Sequence, residues 1–110
     1  MTHLPLIHSE SISGSEALIE IEIKSDLAYL KGHFDAYPLV PGVVQLHWAM
    51  HFGKKHFDIQ GNVTQGSQIK FSNVMTPGER LTLSLIYDAN CLIYSFYNAD
   101  KKFSAGKLYV

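Results

Sequence analysis

Residues 32–52 read GHFDAYPLVPGVVQLHWAMHF, and the architecture of the whole chain turns on that stretch. Its first half holds Pro38, Pro41 and Gly42. Proline fixes φ and glycine admits angles that other residues avoid, so an irregular turn is expected there. From Val43 the pattern becomes helical. Val43, Leu46, His47 and Met50 recur at i, i+3, i+4 and i+7, which puts them on one face. Val44, Trp48 and Phe52 form a second apolar face, so the helix is expected to be enclosed on most sides. His33 precedes the turn and His47 follows it by one turn of helix. Two imidazoles at opposite ends of a rigid loop-to-helix joint mark a candidate site.

Working outward, residues 16–24, EALIEIEIK, alternate with period 2, as a strand with one buried and one wet face does. Residues 1–15 read as a short polar lead. Residues 27–31 are a brief apolar run into Gly32. The helix is expected over residues 43–55, with Gly53 weakening its last turn. Residues 58–65 are polar and contain Gly61-Asn62, hence a loop. Beyond it, residues 66–74 alternate around Ile69, Phe71 and Asn73. Residues 81–87, 92–97 and 103–110 continue as strands, with turns at 76–79, 88–90 and 98–101. One strand, one helix and four strands at hairpin spacing describe an α+β fold, an antiparallel sheet wrapped on one long helix.

Composition bounds the function. A chain of 110 residues fits one domain, spanning 1–110, since domains commonly run to about 100–150 residues. So short a chain has little interior to spare, and a long enclosed helix is more easily buried in a dimer. Nine basic and ten acidic side chains give a net charge of −1, and no basic run exceeds two residues, which argues against nucleic acid. The single Cys91 excludes an internal disulfide and suits a reducing compartment. The N-terminal residues do not resemble a signal peptide, and no stretch approaches the ~20 apolar residues of a membrane span. A cytoplasmic location is expected.

The run G-H-F-x-x-x-P-x-x-P-G-V at residues 32–43 resembles the signature of the FabA/FabZ group of 3-hydroxyacyl-acyl-carrier-protein dehydratases. Within that group PGVVQLHWA is similar to the ApeI-like dehydratases found with aryl-polyene pathways. The resemblance implies a hotdog fold, a dimer with sites at its interface, and no cofactor. It implies elimination of water from a 3-hydroxyacyl thioester, carried by acyl carrier protein in fatty acid or aryl-polyene synthesis, to give the trans-2-enoyl product. His33 matches the histidine that takes the α-proton. Leu39 matches the residue whose carbonyl orients that histidine, and Gly42 the backbone N–H that binds the thioester carbonyl, with Val43 beside it in the substrate-binding run. Helix N-termini offer unpaired N–H groups and positive potential, which suit a developing enolate oxygen. An imidazole titrates near ~6.5 and exchanges protons at neutral pH.

The chain departs from the pattern fourteen residues after His33, where the family has Glu or Asp and this sequence has His47. An imidazole takes over that role only if it donates an N–H to the departing hydroxyl. Elimination with an altered pH profile is expected, with lost activity as the alternative. Asp35 and Ala36 also replace the usual Pro-Gly after GHF.

Other readings stand beside this one. His33 fits an ordinary loop histidine, and His47 a core histidine with satisfied nitrogens. His47 and His51 with His33 could hold a metal, but the motif has no cysteine and Asp35 is its one carboxylate. Trp48, Met50 and Phe52 read as core or dimer interface, Cys91 as a small buried hydrophobe, and Tyr94, Phe96 and Tyr97 as sheet packing or an acyl tunnel. Lys54, Lys55 and Arg80 are cations available to an acidic carrier. Two rival functions remain: a hotdog thioesterase, which lacks the GHF–PG arrangement, and a non-catalytic subunit that pairs with another hotdog chain. A homodimer is the first expectation and a heterodimer the second.

Overall fold

The computed structural model describes residues 4–24 and 39–110. His33 and the apolar run at 27–31 lie outside them. Among the described residues there are six strands and one helix: β1 Leu6–Ser13, β2 Glu16–Glu22, α1 Gly42–His56, β3 Gln65–Phe71, β4 Arg80–Asp88, β5 Cys91–Tyr97 and β6 Lys102–Tyr109. The strands form one sheet in the order β1-β2-β4-β5-β6-β3, every neighbour antiparallel. This is the expected α+β hotdog, a sheet wrapped on a single helix.

The alternation in β2 does what period 2 requires. Ala17, Ile19 and Ile21 are buried, as is Ile23 just beyond the strand, while Leu18 and Glu20 point outward. They meet Leu81, Leu83 and Leu85 of β4 and Leu92, Tyr94 and Phe96 of β5 in one core. Over β4 and β5 lies α1, which buries Val44, Gln45, Trp48, Ala49, Phe52 and Gly53. Its largest side chain, Trp48, is fully enclosed. Burying a large apolar side chain stabilises a fold by about 1.5–3 kcal/mol, so this stripe anchors helix to sheet. Gly53 does more than weaken a helical turn. A Cβ there would lie 2.7 Å from Leu92 Cδ2, so the missing side chain lets α1 settle onto β5.

Two expectations need correction. Residues 1–15 are not merely a polar lead, because β1 pairs with β2 through a two-residue loop whose Gly14 takes φ +59°. Nearly all β1 side chains are exposed, so the strand is held by its backbone ladder and leaves no buried period in the sequence. The alternation expected through residue 74 also fails. Gln68 adopts φ 55° at a register shift between Ser67 and Lys70, and the strand ends at Phe71. This bulge lays Ile69 against Gly66 and Gly106, and Phe71 and Asn73 are left exposed. Within a single chain the sheet covers one side of α1, and on the other Val43 is 73% exposed.

The turns behave as their residues require. Ala89-Asn90 closes the β4–β5 hairpin with both φ angles positive, and Asn98 Oδ1 accepts the N–H groups of Asp100 and Lys101 before β6. Cys91 opens β5 and is half-buried rather than buried. Among the described residues no helix is long and apolar enough to cross a membrane.

Candidate active site

The start of α1 is unusual in having no side chain to cap it. Pro41 stands at the N-cap with φ −59° and ψ 150°, and the first turn carries no acidic residue. The Pro41 carbonyl accepts from Val44 N at 3.1 Å and Gln45 N at 3.2 Å. The N–H groups ahead of these belong to Gly42 and Val43, at the positive end of the helix dipole. Gly42 opens onto a hollow of about 430 Å³ bounded by Leu39, Val40, Gln45, Phe71, Asn73 and Val74. Its wall is mostly apolar, and Phe71 and Val74 stand 51% and 60% exposed around it. A Cβ on Gly42 would fall 2.7 Å from Phe71 Cζ, so any larger residue would have to displace the ring.

Beneath the hollow runs a buried polar chain. Gln45 Nε2 donates to the Val40 carbonyl at 3.1 Å, and Gln45 Oε1 accepts from Ser104 Oγ of β6 at 2.7 Å. The Val40 N–H donates in turn to the Met75 carbonyl at 2.8 Å. Tyr94 Oη, beside this chain, is buried with no direct hydrogen bond among the described residues. Burial pushes its phenol above the usual range.

His47 lies elsewhere on the helix. It is exposed, and with Val43, Leu46, Met50, Val63 and Leu108 it lines a second apolar hollow of about 300 Å³. Gly42 and Leu39 therefore share one hollow and Val43 and His47 another, the two flanking the same first turns of α1. His51 follows His47 by one turn and is also exposed. Partial burial, then the neighbouring His47 and Lys55, hold its imidazole below the usual value. Of the three cations noted in the sequence, Lys55 pairs with Glu10 and Arg80 with Glu20, while Lys54 donates to Asn62.

Of the residues lining the hollow, the sequence reading placed only Leu39 and Gly42 in the site; Gln45 and Phe71 are the informative ones it missed. Gln45 had a signal, since it shares the i, i+3, i+4, i+7 stripe of Trp48, Ala49 and Phe52, where a polar side chain must find buried partners. Phe71 had none, because the bulge that redirects it depends on a backbone angle. The aromatic residues of β5 divide: Tyr94 and Phe96 pack in the core with rings 5.8 Å apart, and Tyr97 is half-buried.

Residues 9–107 match the family model described as ApeI-like, ApeI dehydratase. Among solved structures, the dehydratase heterocomplex ApeI:P from Xenorhabdus doucetiae superposes with a TM-score of 0.89 at 27% identity, covering 96% of each chain. An uncharacterized protein from Erwinia carotovora subsp. atroseptica is 31% identical, with a TM-score of 0.75 over 96% of this chain and 94% of that one. The dehydratase domain of PpsC from Mycobacterium tuberculosis, at 17% identity and a TM-score of 0.66, shares the fold; 99% of this chain aligns with 44% of that one. Among curated proteins no relative was found. The match takes in the helix and the greater part of the sheet, and the chain belongs to the ApeI-like family of hotdog dehydratases.

Proposed function

We propose that this chain eliminates water from a 3-hydroxyacyl thioester held on the phosphopantetheine arm of an acyl carrier protein. One observation carries the reading: the uncapped start of α1 at Gly42, facing an apolar hollow that suits an acyl thioester. The Gly42 N–H hydrogen-bonds the thioester carbonyl and stabilises the enolate that develops there. The Leu39 carbonyl orients His33, whose imidazole takes the α-proton. As the Cβ–O bond breaks, its electron pair leaves with oxygen, and His47 donates a proton so that water departs. The Cα–H electrons form the new double bond of the trans-2-enoyl thioester, and Val43 contacts the substrate from the side of the helix that His47 occupies. The residues named for these steps need no metal or other cofactor.

A second reading rests on position 47. His47 stands where the family carries a carboxylate, and it lines a different hollow from Gly42. This favours a chain that works beside a second hotdog chain, which completes its site; the similar ApeI:P structure is itself a dehydratase heterocomplex. Turnover of a 3-hydroxyacyl-carrier-protein substrate, followed by mass spectrometry for loss of water, separates the two. Active wild type with His33→Ala reduced by about 10²-fold or more supports the first reading. Inert wild type that gains activity when mixed with a second hotdog chain supports the other.

A further inference from the structure

Gln45 is 3% exposed, and Ser104, which bonds it, is 2% exposed. A buried side-chain amide is costly unless its donor and acceptor both find partners, and here each does. Its donor goes to an informative place. The Val40 carbonyl belongs to the segment that brings the chain into α1, between Leu39 and Pro41, and the Val40 N–H is already fixed to Met75. Val40 is thus held on both sides of its backbone, from the helix by Gln45 and from the sheet side by Met75. The Val40 carbonyl can only accept and so fixes the amide's orientation with Nε2 toward it, which leaves Oε1 to take the Ser104 hydroxyl proton. The carbonyl of Leu39 and the N–H of Gly42 lie one and two residues from that clamp.

We propose that Gln45 is a positioning residue for the reaction, setting through Val40 the geometry of the Leu39 carbonyl and the Gly42 N–H. This rests on the dehydratase reading above. A misplacement of about 1 Å at a reacting group can lower a rate by about 10²-fold, so a clamp this near the oxyanion donor acts on turnover. Gln45→Met keeps the length and the buried volume but makes neither hydrogen bond. Gln45→Glu is more selective. Its carboxylate accepts from Ser104 but repels the Val40 carbonyl, whereas its neutral acid form donates an O–H to that carbonyl as the amide does.

The experiment uses the full chain, in the assembly that is active, and reads three quantities. Gln45→Met is expected to lower kcat by about 10–10²-fold with KM changed little. Gln45→Glu is expected to recover toward wild type as pH falls, so that the ratio of the two activities rises on acidification. Hydrogen exchange in residues 39–44 is expected to quicken in Gln45→Met. Unchanged kcat in a folded Gln45→Met, or a Gln45→Glu to wild-type ratio that does not move with pH, overturns the role in catalysis. Unchanged exchange overturns the clamp whatever the activity. If wild type in every assembly turns over no substrate, the dehydratase reading falls first, and exchange alone then decides whether Gln45 fixes this segment.

Discussion

At Gly42 a hydrogen in place of a methyl group decides how closely another molecule can approach the start of α1. The ring of Phe71 already occupies the space a side chain would take. That ring is half exposed and can swing aside, and Gly42 is the first helical residue, where the helix-interior preference of about 1 kcal/mol for alanine is an upper bound. Gly42→Ala is therefore expected to fold with its stability altered by no more than about 1 kcal/mol. Its kcat/KM is expected to fall by about 10-fold or more if, as proposed, this N–H polarises the thioester, because the displaced ring and the new methyl crowd it. Thermal melting beside turnover checks both halves, and a fully active alanine variant would show that nothing approaches this backbone. Gly53 presents the opposite balance. Its close neighbour, Leu92, is fully enclosed and has nowhere to go, so the same missing methyl there serves packing rather than approach.

At the scale of elements, β1 is the least anchored strand by side-chain burial, and one carboxylate ties it to the helix. Glu10 accepts from Lys55 Nζ at 3.0 and 3.1 Å and lies 2.6 Å from His56 Nε2, both on the last turn of α1. Desolvation raises the Glu10 carboxyl, but the hydrogen bonds and charges of Lys55 and His56 outweigh it and hold the group below its ordinary 4.5. With the folded value depressed, the stabilisation is fully present above the unfolded value and is lost as pH falls through the lower folded one. Wild type is expected to exceed Glu10→Gln by up to about 1 kcal/mol in urea unfolding at neutral pH, as for a partly exposed ion pair. The gap is expected to close in acid, and a gap of equal size there would place its source outside the carboxylate. This tie also shows what the sequence made legible. Period 2 in β2 and β4 and period 3.6 in α1 are written in side chains that must be buried, so those elements could be read directly. β1 buries almost none, and the bulge in β3 hangs on the φ of Gln68, for which no residue type gave warning. The site divides the same way: Leu39 and Gly42 came from the motif and share a hollow, whereas Phe71 reaches it from a strand whose course the local pattern misstates.

For the molecule as a whole, the exposed side of α1 is the feature that a single chain leaves unfinished. One six-stranded sheet covers the Trp48 stripe, and Val43, Leu46 and Met50 are left around His47 with Val63 and Leu108. Val43 is 73% and Val63 40% exposed, on a helix of which the opposite side is fully buried. A contiguous apolar surface of this kind marks a place where another molecule sits, because burying it returns roughly 25 cal/mol per Å². We assign that place to a second hotdog chain, which would also close the hollow that His47 lines. Val43→Glu introduces a charge at the centre of the patch and touches nothing in the core, so the chain itself is expected to keep its circular dichroism and its melting behaviour. Light scattering on the purified protein is expected to give twice the 12.3 kDa of one chain for wild type and a single chain for the variant. Turnover is expected to fall with the assembly, since the site is flanked by the same helix turns. A variant that assembles as wild type does would leave this face open to solvent, and His47 with it.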